Sequence, residues 1–420
     1  MPALRRHDRA SHLRRLLACL LCAACARLTL AIAEEAPPDP DLATKDMRRA
    51  GPVRLQPSFL LKDVGYDDNV RFDAQTRQGD TTATIGASLG MLLLGAHRGG
   101  LRLFQEADYV TFARNDDLNH WNGQARARGI LLIKRAVLSL EDHFTSERER
   151  WGTEIDQRIR RTNNAITAEA RFRREGRLGA RAFLRNEKID YASGDPGATN
   201  VGDLLNRDES TLALIGELRA LPKTTVTLEA DLRRIDFEDR SLGRDSRSRA
   251  LLPGLRFDPS ASVQGELKFG AIDFTARDQP QNDYRGAIGE GRLSARMGRA
   301  GRMKFGFSRD LVFSIVASNL YYVGTSWSAA YEQFFSARMS GELLYGRGLS
   351  HYPQEVSLAE PVPRLGIRDD RFTNYQVTLR YRLNPQLWLN LSGARLVRDS
   401  TDDALDRSRN LYGFSTSYAF

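Results

Sequence analysis

The chain has 420 residues, of which 62 are Lys or Arg and 53 are Asp or Glu; the formal net charge is +9, 41% of residues are hydrophobic and the mean hydropathy is −0.45. Beyond the N-terminal segment no run of about 18 apolar residues exists, which rules out a helical membrane protein. Well-mixed charge and only 15 Pro rule out wholesale disorder. All three cysteines, Cys19, Cys22 and Cys25, lie in the first 33 residues, so the rest of the chain excludes a disulfide scaffold, a thiolate metal site and a cysteine nucleophile together.

Residues 1–33 read as an export signal. Arg5, Arg6, Arg9, Arg14 and Arg15 make a basic start, Leu16 to Ala26 an apolar middle, and Ala31-Ile32-Ala33 a small-residue end followed at once by charge and proline. Cleavage is expected after Ala33, with Ala26 as the second choice. Leu16 to Cys19 spells a lipobox-like string, but only two apolar residues precede Ala18, so lipidation is a minor reading. Removing the segment takes away six Arg and one Asp and lowers the net charge from +9 to +4, so the basicity of the whole chain is no argument for nucleic-acid binding. Residues 34–51, rich in Pro and charge, are expected to form a short, mobile periplasmic arm.

From residue 52 onward the dominant period is two. In Thr82 to Leu93, Ala83, Ile85, Ala87, Leu89, Met91 and Leu93 share one face and Thr82, Thr84, Gly86, Ser88 and Gly90 the other. A helix would need apolar residues three and four apart. The same alternation recurs in Gln124 to Ile133, Val263 to Ala271 and Tyr375 to Leu383, with charged residues on the polar face. Tight turns such as Asp258 to Ala261 and Gly298 to Gly301 alternate with long polar loops such as Ser193 to Arg207 and His351 to Asp370. This rhythm predicts about eighteen strands at about 21 residues per strand and connection, which suits membrane strands of about 9–11 residues.

A soluble sandwich would alternate as well. Three features point instead to a barrel with lipid outside and water inside. Charge stands in mid-strand opposite an apolar face, short turns alternate with long loops, and the C-terminal LYGFSTSYAF puts Tyr412, Phe414, Thr416, Tyr418 and Phe420 on one face. The expected fold is therefore all-β: one transmembrane antiparallel up-and-down barrel over residues 52–420, in the outer membrane, closed because an open edge in hydrocarbon leaves backbone groups unpaired. Trp121, Trp327, Tyr375, Tyr381, Tyr412, Tyr418 and Phe420 are expected to face lipid near the interfaces. The expected partners are outer-membrane lipid, lipopolysaccharide and the barrel-insertion machinery that reads the last strand.

Three stretches carry a family resemblance: Leu55 to Val70 (LQPSFLLKDVGYDDNV), Ala250 to Gly270 and Met303 to Ser314. They resemble the type 2 outer-membrane β-barrel porins of Gram-negative bacteria. The first strand of that family tends to end in Tyr-Asp-Asp-Asn, here Tyr66 to Asn69, and a later Gly-Leu-Arg-aromatic-x-Pro string is here Gly254 to Pro259. The resemblance implies a conduit associated with exopolysaccharide export, working with separate periplasmic export components. A diffusion porin for small solutes, with or without a preference for anions, and a structural barrel with a blocked lumen stand beside it as alternatives.

The strand phase also assigns a lumen. Arg126, Arg128, Lys134, Arg181, Arg185, Arg292, Arg296, Arg380 and Arg382 are expected to point inward, as are Glu106, Asp108, Glu217 and Glu290. One reading is a set of Arg clusters that guide anions. The other is a network of ion pairs that stiffens the wall. The strings Asp67-Asp68-Asn69, Asn115-Asp116-Asp117, Asp369-Asp370 and Asp402-Asp403 lack the spacing of a calcium loop and read as solvated loop tips. With no Gly-x-Ser-x-Gly elbow, His-Glu-x-x-His helix or phosphate loop, neither an enzyme nor a metal or cofactor site is expected.

Overall fold

The computed structural model describes residues 47–95, 99–150, 154–173, 176–192, 200–316, 318–359 and 363–419. The expected signal, residues 34–46 of the expected arm, and Phe420 lie outside the described residues. The first half of the wall is β1 (Val53–Asp67), β2 (Asp80–Gly95), β3 (Gly99–Phe112), β4 (His120–Ile133), β5 (Ala136–Glu149), β6 (Ile159–Arg173), β7 (Leu178–Tyr191), β8 (Arg207–Leu221) and β9 (Thr224–Phe237). The second half is β10 (Ser246–Phe257), β11 (Val263–Ala276), β12 (Tyr284–Met297), β13 (Gly301–Phe313), β14 (Tyr321–Phe334), β15 (Met339–His351), β16 (Asp369–Asn384), β17 (Leu387–Ser400) and β18 (Arg407–Ala419).

Each strand pairs antiparallel with the next, and β18 returns to β1 in a ladder from Ser58↔Ala419 to Asp67↔Leu411. The wall is therefore closed, as unsatisfied backbone in hydrocarbon demands, and its eighteen strands agree with the count expected from the sequence. Arg48–Ala50, at the end of the expected mobile arm, instead folds back as a short strand on the start of β1. A bulge between Leu61 and Val64, with Asp63 at φ +51°, resets the phase of β1. Lys62 and Asp67 thus both turn to the inner face, where each finds an ion-pair partner. Glycine is required at Gly265, whose φ is +120° and where a Cβ would sit 1.9 Å from the Arg292 carbonyl oxygen.

The seam uses the Tyr-Asp-Asp-Asn string. Asp68 accepts from Asn410 N at 2.7 Å and from Asn410 Nδ2 at 2.6 Å; Arg409 Nη2 lies 2.8 Å from Asp67 Oδ2, and Asn69 Nδ2 donates to Ser408 O at 3.2 Å. Asp67 and Asn69 are buried, as are Asp370 and Asp402. Asp116, Asp117 and Asp403 stand exposed, as expected of loop tips, and the solvated-tip reading is corrected for Asp67, Asn69, Asp370 and Asp402. These short polar side chains accept backbone and guanidinium hydrogen bonds where strands meet loops, an alternative partner set that spacing along one strand does not reveal.

Alternation sorts the two faces. Leu184, Leu214, Leu228, Phe269, Leu343, Val377 and Leu391 stand exposed on the outer face. On the inner face of β9–β12 and β14, Ile235, Phe237, Leu252, Ile272, Phe274, Ile288 and Tyr321 form an apolar cluster at the long-loop end.

Candidate functional site: the lumen and its mouth

The inner face is a chain of ion pairs. Lys62 Nζ lies 2.7 Å from Glu106 and 2.9 Å from Asp108. Arg126 reaches Glu141 at 2.7 Å, and Arg128 lies 3.7 Å from the same carboxylate and 3.9 Å from Glu169. Glu217 takes Arg181 at 2.6 Å and Arg256 at 2.9 Å, while Arg185 pairs with Glu187 at 2.7 Å. Lys268 joins Glu229 and Glu290, each at 3.0 Å. Further round, Lys304 and Arg380 share Glu332 at 3.0 Å each, and both also reach Glu342. Such sharing follows from the ladder: inward residues on adjacent strands come within about 5–8 Å, which a long cation spans.

Some expected lumen residues stand apart. Arg292 and Arg296 lie on β12 and, among the described residues, form no ion pair; Arg292 is opposite Glu266 in register and Arg296 opposite Arg302. The Arg382 guanidinium sits 5.2 Å from the centroid of the Trp388 ring. Lys134 is not in a strand; it occupies the tight turn after β4 and is exposed. Two residues per turn there leave its side chain beyond the wall.

Of the aromatics expected to meet lipid, Trp121, Trp327, Tyr375, Tyr381 and Tyr412 are exposed on the outer face, and Tyr418 is half-buried there. Two pairings extend the row: Tyr66 stands opposite Tyr412, and the Tyr109 ring lies 5.0 Å from that of Trp121.

The mouth at the long-loop end holds a feature that the strand pattern did not announce. The segment 154–158, between β5 and β6, is fastened on several sides. Glu154 accepts from Ser314 Oγ at 2.6 Å and from Ile315 N at 2.8 Å. Asp156 lies 3.1 Å from Arg398 Nη1 on β17 and pairs with Arg407 on β18. Arg150 donates to the Asp156 carbonyl at 2.7 Å and also to the Val70 carbonyl of the β1–β2 loop. Arg158 pairs with Glu149 at 3.2 Å and lies 5.2 Å from the centroid of the Phe112 ring. Beneath these contacts Ile155 and Ile159 pack with Val201 and Leu205, and with Phe313 and Ile315. Since β5 and β13 are nearly opposite in the ring, this segment reaches across the mouth.

Supporting groups are buried around it. Arg398 is 1% exposed and also holds Asp370 at 3.0 Å; Arg368 holds the same carboxylate at 2.6 Å and lies 4.6 Å from the Tyr352 ring centroid. Arg244 donates to the Ser314 and Leu320 carbonyls at 2.6 and 3.1 Å, tying the β9–β10 loop to the β13–β14 loop. Burial pushes the Glu154 carboxyl up, against the hydrogen bonds from Ser314 and Ile315 that lower it. Burial likewise raises Asp156, opposed by Arg398 and Arg407.

A closed, eighteen-stranded wall with lipid-type side chains outside and charge inside defines a transmembrane β-barrel of the outer-membrane kind. The family described as "Putative beta-barrel porin 2" matches residues 48–417, and the chain belongs to it. Its place is the outer membrane. No curated protein matches the chain. Among solved structures, it is similar to OccK9 (OpdG) of Pseudomonas aeruginosa at 13% identity and TM-score 0.49, covering 87% of this chain and 98% of that one. OpdO of the same organism gives 14% identity and TM-score 0.48, covering 87% and 97%. The siderophore receptor PirA of Pseudomonas aeruginosa gives 12% identity and TM-score 0.45, covering 89% and 81%.

Proposed function

We propose that this porin is a passive diffusion channel for small solutes, narrowed at its long-loop mouth by residues 154–158. The observation that carries the reading is the cross-barrel fastening of that segment by Glu154 to Ser314 and by Asp156 to Arg398. Charged side chains on the inner face keep a lumen wetted and favour polar solutes, while a crossed mouth sets a small size limit. The polymer conduit implied by family resemblance finds no support in this geometry, since a polysaccharide strand would have to displace a half-buried, hydrogen-bonded segment. Deletion of the gene tests the choice. The diffusion reading expects slower uptake of small polar solutes with surface polysaccharide unchanged; lost polysaccharide with unchanged uptake would reverse it.

A further inference from the structure

The outer face of β15–β17 carries three exposed arginines, Arg347, Arg371 and Arg395. Among the described residues none of them forms an ion pair. Asp399 is opposite Arg371 in register, and Asp369 is taken up by His351 at 2.7 Å. On the other flank several outward cations are matched, Arg234 with Asp236 at 2.8 Å, Arg285 with Asp273 at 3.0 Å and Lys188 with Glu238 at 2.8 Å, while Arg247 and Arg249 on β10 are exposed and, among the described residues, form no ion pair.

The depth of the three arginines is set by their neighbours. Trp327, Tyr345 and Tyr375 form a continuous row, with ring centroids 5.2 and 5.3 Å apart. Amphipathic rings of this kind mark the level where hydrocarbon meets headgroups. Arg347 is opposite Trp327 and Thr373, Arg395 is opposite Tyr375, and Arg371 lies two residues beyond Thr373 toward the long loops. The guanidiniums therefore stand at headgroup level, where an outward arginine costs only about 0–1 kcal/mol.

Below them the outer face is grooved. A groove of about 600 Å³ runs between Leu379, Leu391, Gly393 and Tyr412, and one of about 340 Å³ between Met303, Tyr331 and Leu343; Val377 lines both. Gly393 and Gly413 leave the first groove without side chains on its floor.

We infer that β13–β18 form a binding site for a phosphorylated glycolipid of the outer leaflet, the lipid A part of lipopolysaccharide. Arg347, Arg371 and Arg395 hold its phosphates, and the two grooves take its acyl chains. Guanidinium forks match phosphate oxygens in bidentate geometry. Phosphate between them also relieves the mutual repulsion of three like charges, of which Arg371 has Asp399 opposite it in register. The site rests on the outer-membrane placement and is independent of what the lumen conducts.

The test uses the purified full-length protein in detergent, with thermal unfolding followed by strand circular dichroism. Lipid A is expected to raise the midpoint by several degrees. Dephosphorylated lipid A, phosphatidylethanolamine and inorganic phosphate are each expected to give little or no shift. An equal shift with dephosphorylated lipid A overturns the phosphate clamp, one with phosphatidylethanolamine overturns the assignment to lipid A, and one with inorganic phosphate overturns the acyl grooves. The R347S/R371S/R395S variant is expected to lose the lipid A shift while its single-channel conductance stays at the wild-type value. If that variant does not assemble, the ligand series on the wild-type protein decides alone. No shift with lipid A on the wild-type protein ends the proposal.

Discussion

Arg398 Nη1 and Asp156 Oδ1 lie 3.1 Å apart, joining β17 to a segment that leaves the wall between β5 and β6, 242 residues away in sequence. Both partners have other obligations: Arg398 also holds Asp370, and Asp156 also pairs with Arg407. Asp156→Ala removes the whole side chain of the segment's anchor, hydrogen bonds included, yet leaves Arg398 paired with Asp370. The expected loss in local fastening is about 1–3 kcal/mol. Single-channel recording should show larger or more fluctuating conductance, with barrel assembly unchanged.

Arg398→Ala acts more broadly. It strips two carboxylates of a partner, one of them, Asp370, fully buried. Removing one member of a buried pair costs about 3–5 kcal/mol. This variant should unfold at lower temperature than Asp156→Ala, measured by the temperature at which heat-modifiable migration on SDS gels is lost.

The mouth should also respond to pH. Burial holds Glu154 and Asp156 above the ordinary carboxylate range when the segment is fastened, while a segment swung into water would titrate normally. The fastened state thus binds protons more tightly. Its relative stability rises as pH falls from neutral through the raised values, and the gain is complete below the ordinary carboxylate range. Conductance should therefore fall on mild acidification, and Glu154→Gln should flatten the response. A conductance that rises on acidification would contradict this linkage.

Lumen selectivity has its own handle. Glu332 and Glu342 between them neutralise Lys304 and Arg380, and Glu332 also stands 3.8 Å from Arg302. Glu332→Gln with Glu342→Gln leaves those cations on the inner face without counter-charge. The reversal potential in a salt gradient should shift toward the anion's equilibrium value. Gln keeps the shape and hydrogen-bonding capacity of each carboxylate, and Lys304 and Arg380 remain about a third exposed on the inner face, so the barrel should still assemble.

The wall was legible in the sequence because it obeys a local rule. Ala83 to Leu93 alternate with Thr84 to Gly90, and a residue's face follows from its neighbours two places away. Lys134 escaped that rule because the strand had already ended, and Asp67 because a bulge at Asp63 had shifted the phase. The mouth follows no such rule. Ile155 stands in a charged loop and Ile159 at the first position of β6, and their partners Val201, Leu205 and Ile315 come from other loops. Arg398 reads like any arginine at a strand end until the fold brings Asp156 to it. The Tyr-Asp-Asp-Asn string was visible as a family mark, but its work at the seam depends on β18 returning to β1.

That seam yields a further expectation. Asp68 accepts two hydrogen bonds from Asn410. Asp68→Ala leaves the Asn410 amide group unsatisfied at the closing ladder, a loss of about 1–3 kcal/mol. The temperature of heat-modifiable migration should drop, whereas Asp116→Ala, in an exposed loop, should leave it unchanged.

The most direct measurement of the central claim is swelling of liposomes that contain the purified barrel, made with sugars of increasing size. A diffusion channel crossed at its mouth by residues 154–158 predicts rapid swelling in monosaccharides, a steep fall through short oligosaccharides and none in long glucans, with Asp156→Ala moving the cut-off upward. Equal permeation of long glucans and monosaccharides, or no swelling with any sugar in both the wild-type protein and Asp156→Ala, would contradict it.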